Sequence, residues 1–204
     1  MITIALVDTS LDEALRQAVS TLLEGGIIAY PTETIYGLGV KYDNEKALRR
    51  LYEIKDRPRE KTIPIIIGSV EQLSLLVNSF NDKAECLMQK FWPGPLTLIF
   101  DARSGLNSYI TCSDKIAIRI PGESFALDLA RAAGFPITAT SANISGLPAA
   151  RNVAMIRKYF NDRIDLIING GTSQNTQPST IVDVTRGTPL ILREGAISSS
   201  RILI

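Results

Sequence analysis

The chain contains no histidine. That absence removes Ser-His-Asp and Cys-His catalysis, imidazole-ligated metals and the zinc-protease motifs together. Any chemistry falls to Lys, Arg, Asp, Glu, Ser, Thr, Tyr, Asn, backbone amides or a soluble metal complex. Such an inventory suits charge stabilisation on phosphates better than imidazole-mediated proton transfer. Cysteine is almost as scarce: Cys86 and Cys112 lie far apart without metal-ligand spacing. They read as plain buried thiols in a reducing compartment. No apolar run approaches a membrane span, and Met1-Ile2-Thr3-Ile4 leads into a polar segment rather than a signal peptide. A cytoplasmic protein with no membrane partner is expected. An excess of one charge is missing too. With 22 basic and 21 acidic residues the net charge is +1, so no global field advertises nucleic acid, although a local basic patch is compatible with it.

The 204 residues are 45% apolar, enough to bury a sizeable core. Ser10 and Glu13 form a capping box ahead of a helical stripe from Leu11 to Leu23, stopped by Gly25-Gly26. Ile27 to Tyr30 reads as a buried strand. A second helix starts near Asp43 or Asn44 and runs through Ile54. Further helices are expected at Val70–Val77, Asp82–Phe91, Ser124–Ala133 and Val153–Phe160. Strands are expected at Ile63–Ile67, Leu96–Phe100, Ile116–Ile120, Ile137–Thr140, Leu166–Ile168, Ser179–Val184 and Leu190–Arg193. The alternation implies an α/β sheet protein, and the closely spaced final strands imply a mixed sheet. No linker or repeat divides the chain, so residues 1–204 read as one domain.

Polar segments recur at the ends of these elements. Pro31-Thr32-Glu33-Thr34-Ile35-Tyr36-Gly37-Leu38-Gly39 follows a strand and combines hydroxyls, a carboxylate and glycines where open α/β sheets bind ligands. An ordinary polar connection would look similar. Lys55-Asp56-Arg57-Pro58-Arg59-Glu60-Lys61 places four cations in seven positions, a combination suited to phosphate oxygens. A solvated helix C-terminus has the same composition. The Trp92-Pro93-Gly94-Pro95 turn reads as structural, with the single tryptophan packed beneath it. Arg119 and Arg193 each end a strand. Thr138-Ala139-Thr140-Ser141-Ala142-Asn143-Ile144-Ser145-Gly146 is dense in hydroxyls that either bind a nucleotide or cap a helix. Ser179 forms the polar entrance to the strand Thr180-Ile181-Val182.

Taken in order, PTETIYGLG, KDRP, WPGPLT, RIP, TSANISG, PSTIVD and LREGAI resemble the YrdC/Sua5 family of threonylcarbamoyl-AMP synthases, from about Glu24 to Ala196. The family's Lys-x-Arg and Ser-x-Asn signatures fall on Lys55/Arg57 and Ser141/Asn143. The resemblance is to the short, single-domain form. It implies a twisted mixed sheet with flanking helices around a basic concave cavity. It also implies a reaction in which L-threonine, bicarbonate and ATP give threonylcarbamoyl-AMP and pyrophosphate. That product feeds threonylcarbamoyladenosine modification of tRNAs reading ANN codons, through a downstream transferase that engages transiently. By the same resemblance Lys55 and Arg57 are the catalytic cations. Thr34, Arg119 and Ser179 bind threonine, with Arg119 on its carboxylate. Lys55, Arg57, Lys61, Ser141, Asn143 and Arg193 contact ATP, whose Mg²⁺ arrives with the triphosphate. Two positions depart from the family pattern. Ile66 stands where many relatives carry a histidine near threonine, and Lys115 where relatives often have a threonine facing the nucleotide. A non-catalytic module holding double-stranded RNA or tRNA stays open as an alternative, as does carbamoyl transfer to another amine.

Overall fold

Ser10 starts the first helix as its spacing from Glu13 requires: its hydroxyl accepts from the Glu13 N–H at 3.3 Å. In the computed structural model, which describes residues 1–173 and 177–202, α1 spans Leu11–Leu23. It buries Ala14, Ala18 and Leu22 at helical spacing. Asn caps open three other helices: Asn44 before α2 (Glu45–Lys55), Asn81 before α3 (Asp82–Phe91) and Asn152 before α5 (Val153–Phe160). Between the last two, α4 (Phe125–Ala133) ends on Gly134 in the left-handed region, and a short α6 (Ser199–Ile202) closes the described chain. The helix expected at Val70–Val77 is a 3-10 turn over Val70–Leu75.

The strands form two mixed sheets. One has the order β1-β10-β2-β3-β9, with β1 at Ile2–Ala5, β2 at Ile28–Tyr30, β3 at Gly37–Gly39, β9 at Thr140–Ser141 and β10 at Leu166–Asn169. The other runs β12-β11-β5-β7-β4-β8, with β6 paired to β7 off this path. Its strands are β4 (Ile65–Ile66), β5 (Leu96–Asp101), β6 (Thr111–Cys112), β7 (Lys115–Arg119), β8 (Ile137–Thr138), β11 (Thr180–Asp183) and β12 (Leu190–Arg193). The mixed α/β expectation therefore holds, with the strands divided between two sheets. The single strand expected over Ile137–Thr140 is the crossing between them. β8 pairs with β4, the Ala139 N–H donates to the Pro64 carbonyl, and β9 pairs with β3. The run from Thr138 to Asn143 thus emerges at the seam of the two sheets.

Two apolar clusters hold this frame. Leu96, Leu98, Phe100, Ile116, Ile118 and Val182 pack with α2 and α3 residues on one face of the larger sheet. Ile66, Ile28, Tyr30, Phe125 and Leu129 form the second cluster, beneath α1 and α4. Trp92 is buried, and its indole N–H donates to the Leu96 carbonyl at 2.7 Å, which confirms the structural reading of the Trp-Pro-Gly-Pro turn. Both cysteines are free and exposed, contrary to the burial expected of them, because Cys86 lies on the outer face of α3 and Cys112 in the edge strand β6. No described helix is long and apolar enough to cross a membrane.

Candidate functional site

Side chains alternate along a strand, so Thr97, Ala117 and Arg119 project from the face of the larger sheet opposite Leu98 and Ile118. None of these three residues joins either apolar cluster. Lys115 and Asp183 share that face, and Lys115 Nζ donates to Asp183 Oδ2 at 2.7 Å. The Lys115 and Thr185 donors hold the Asp183 carboxyl below its ordinary range, against the opposing effect of desolvation. Over β4 and β8 the same face is closed by α4, which buries Ile66 among Phe125, Leu129 and Ile137.

Arg119, at the end of β7, is more than nine-tenths buried. Its Nη1 donates to Glu33 Oε1 at 2.7 Å. A strand-end arginine is commonly solvated, and this one is instead tied across the seam to the segment between β2 and β3. That segment is braced from within. Thr32 Oγ1 accepts from the Thr34 and Ile35 N–H groups and lies 2.9 Å from Thr34 Oγ1, while Ser173 Oγ donates to the Thr34 carbonyl. Thr34 is buried. Across β5, Thr97 Oγ1 and Ser179 Oγ are 2.8 Å apart. The Arg193 guanidinium donates from Nε and Nη2 to the Ser179 carbonyl and reaches Ser179 Oγ at 3.2 Å. This contact needs Gly195. A Cβ there would lie 2.2 Å from the Pro178 carbonyl oxygen. Burial, then repulsion from Arg119, lowers the Arg193 pKa, so the two guanidinium groups share one electrostatic neighbourhood.

The second group gathers where α2 ends. Asp56 takes a left-handed conformation (φ 48°) that turns the chain out of the helix. Lys55 is fully buried, and its Nζ donates to the Ser141 carbonyl at 2.6 Å, the Asn143 carbonyl at 2.7 Å and Asn143 Oδ1 at 3.3 Å. Its carbonyl accepts from the Ser145 N–H. Ser141 Oγ donates to Asn143 Oδ1, and Asn143 Nδ2 donates to the Leu147 carbonyl. The solvated helix C-terminus that this composition allows is therefore wrong for Lys55: its stem follows the core stripe of α2, and its ammonium is the peg of the Ser141–Asn143 loop. Burial, reinforced by the nearby Arg57 cation, pushes its pKa down to about 7. Arg57 is half-buried and folds back, donating to the carbonyls of Lys61 and Thr62. The Lys61 side chain is exposed.

The sequence-derived residues thus fall into two constellations. In one, Arg119 is tied to Glu33 beside Thr34, Ser179 is tied to Thr97 and Arg193, and Arg119 lies within electrostatic reach of Arg193. The other joins Lys55, Ser141 and Asn143, with Arg57 and Lys61 in the adjoining turn. They meet at the seam, since Gly37 pairs with Ser141 and the Ala142 N–H donates to the Tyr36 carbonyl. Nothing in the sequence assigns Glu33 or Thr97 to the site. Glu33 lies between two threonines of the most conspicuous motif, and Thr97 is the first polar residue after a rigid turn. Only pairing across the sheets reveals their partners.

The family model for Sua5, YciO and YrdC, described as telomere recombination, matches residues 20–195. A threonylcarbamoyl-AMP synthase of Pyrococcus abyssi is 39% identical over 184 residues, covering 90% of this chain and 54% of that protein. The chain therefore spans about half the length of that relative. A threonylcarbamoyl-AMP synthase of Marinobacter nauticus is 36% identical, with 89% of this chain and 98% of that protein covered. The crystal structure of P. abyssi Sua5 complexed with L-threonine superposes with a TM-score of 0.91 at 35% identity, over 98% of this chain and 59% of that one. With the family match running through both constellations, the chain belongs to the Sua5/YciO/YrdC family.

Proposed function

We propose that the protein is a threonylcarbamoyl-AMP synthase, a nucleotidyltransferase that converts L-threonine, bicarbonate and ATP to threonylcarbamoyl-AMP and pyrophosphate. One observation carries the reading. A buried arginine fork and a set of threonine and serine hydroxyls share one sheet face, beside a lysine-braced Ser-x-Asn loop, in a chain similar to a Sua5 crystallised with threonine. The reaction builds up negative charge twice. Threonine is first carboxylated to a carbamate. A carbamate oxygen then attacks the α-phosphorus of ATP, a P–O bond forms, and the bond to the β-phosphate oxygen breaks to release pyrophosphate. Arg119 holds the amino acid's carboxylate. Thr34 and Ser179 supply hydroxyls around it. Arg57, Lys61 and Arg193 offer cations to the phosphates of MgATP, where preorganised charge lowers the barrier. Ser141 and Asn143 shape the nucleotide side, and Lys55 fixes them there. Holding the labile carbamate against the α-phosphate supplies proximity and limits its loss to water. In a cytoplasmic setting the product feeds threonylcarbamoyladenosine formation on tRNA through a transiently engaged transferase, and direct contact with tRNA is weak.

Amino-acid selectivity tests the threonine side. A site that hydrogen-bonds the substrate hydroxyl rejects an analogue lacking it by far more than one lacking a methyl, worth roughly 1–3 kcal/mol. Serine is therefore expected to turn over at a kcat/KM about 10–200-fold below threonine. Valine is expected to fall well below serine. Ile66 is buried under α4 and is not expected to set this choice. Equal kcat/KM for valine and threonine in a pyrophosphate-release assay would reject the proposed pocket.

A further inference from the structure

At neutral pH the nitrogen of threonine is protonated and has no lone pair with which to attack carbon. We propose that Glu33 binds this ammonium group and accepts its proton, acting as the general base of the carboxylation step. The inference rests on the synthase reading and deepens it. Arg119 Nη1 and Glu33 Oε1 are 2.7 Å apart, and the two side chains keep only 9% and 16% of their surface exposed. An α-amino acid carries its two charges one carbon apart, so a guanidinium and a carboxylate already in contact form the complement of a zwitterion. Arginine has five N–H donors, which leaves others for the substrate carboxylate while Glu33 meets the ammonium.

The surroundings keep Glu33 in this place. Gly122, just beyond β7, gives it room, since a Cβ there would lie 3.1 Å from Glu33 Cγ. The hydrogen bonds of Thr32 and Ser173 pin the next residue, Thr34. Among the described residues, Arg193 on β12 and Tyr30 on β2 are charged or titratable neighbours of the pair. The Tyr30 phenol donates to the Thr138 carbonyl, and burial lifts its pKa above the ordinary range, so it stays neutral.

The step balances. One proton passes from the ammonium nitrogen to the Glu33 carboxylate. The freed lone pair forms a C–N bond to the carbon of bicarbonate. The C–OH bond breaks, and the departing hydroxide takes a second proton from nitrogen and leaves as water. The threonine carbamate remains, ready for adenylyl transfer. That second step consumes no amine proton, and the difference is what an experiment can separate.

Glu33→Gln and Glu33→Asp should be assayed in both directions: pyrophosphate release from threonine, bicarbonate and ATP, and ATP formation from synthetic threonylcarbamoyl-AMP plus pyrophosphate. A lost general base costs about 10²–10⁴-fold. Glu33→Gln is expected to lose that much forward kcat and to regain rate as pH rises and free amine becomes abundant. Its reverse adenylyl transfer is expected to stay within a few-fold of wild type. Glu33→Asp, which keeps a carboxylate, is expected to recover part of the forward rate. Equal loss in both directions for both variants would reduce Glu33 to a structural strut and overturn the proposal. So would a Glu33→Gln enzyme with wild-type forward rate and pH profile. A wild-type protein inactive in both directions would instead reject the synthase reading itself.

Discussion

Arg119→Ala is expected to lower kcat/KM for threonine by roughly 10²–10³-fold and to destabilise the fold at the same time. Both effects follow from one contact. The Arg119 guanidinium is the proposed carboxylate anchor, and removing one partner of a buried, hydrogen-bonded charge pair typically costs about 3–5 kcal/mol. Here the stranded partner is the largely buried Glu33 carboxylate. For a chain of this size each kcal/mol moves the melting temperature by about 2–4 °C, so a fall on the order of 10 °C is expected. Arg119→Lys keeps the charge but not the planar fork. It should recover most of the stability and little of the threonine affinity. Threonine titration by calorimetry beside a thermal melt checks both halves. Unchanged threonine affinity in a well-folded Arg119→Ala protein would remove Arg119 from the substrate site.

Lys55→Ala is expected to abolish the proposed synthase activity through structure as well as charge. It takes a donor from the part-buried Ser141 and Asn143 carbonyls; Ser141 keeps the Asn143 N–H, and an acceptor left without a partner away from water costs about 1–3 kcal/mol. The loop carrying Ser141 and Asn143 should loosen, raising KM for ATP along with the loss of stability. Lys55→Met, which keeps the apolar stem, separates packing from the lost ammonium. The pH dependence has a definite sign. With a folded pKa of about 7 against ~10.4 in the unfolded chain, the folded protein binds fewer protons between these values. Stability contributed by this group therefore rises with pH across that window and is absent below about pH 7. Urea unfolding from pH 7 to 10 should show the rise in wild type and not in Lys55→Met. Parallel curves for the two proteins would mean that Lys55 does not titrate there.

Local signals carried much of the architecture. The Ser10–Glu13 spacing, the Asn44 cap and the turn at Gly134 placed helix ends to within a residue or two, because capping is a matter between near neighbours. The Gly37–Gly39 strand carries no strand signal in the sequence. It lacks the β-branched residues that mark a strand and is held by its pairing with β2 and β9. The division into two sheets was equally invisible, since it depends on Ala139 crossing between β4 and β3. Of the site residues, the motif pattern pointed to Arg119, Ser179 and Arg193, and the structure brings them into one neighbourhood. The pattern could not show that Lys55 is a buried peg. The stripe through Leu48, Leu51 and Tyr52 carries the Lys55 stem onto the core face of α2, but the carbonyls that hold its ammonium lie 86 residues away at Ser141 and beyond, and no periodicity spans that distance. Lys115 reads as an odd cation in sequence and as half of an ion pair in space, with Asp183 on a strand two places away across the sheet.

The central claim is that three small substrates converge on one chain to release pyrophosphate. The most direct measurement is pyrophosphate release by the purified protein with ATP, L-threonine and bicarbonate, each omitted in turn from carbonate-depleted buffer. The account predicts release only when all three are present, with each omission reducing the rate to background. Equal release without threonine would make the protein a simple ATPase, and tight tRNA binding without any such turnover would favour an RNA-holding module; either result contradicts the account.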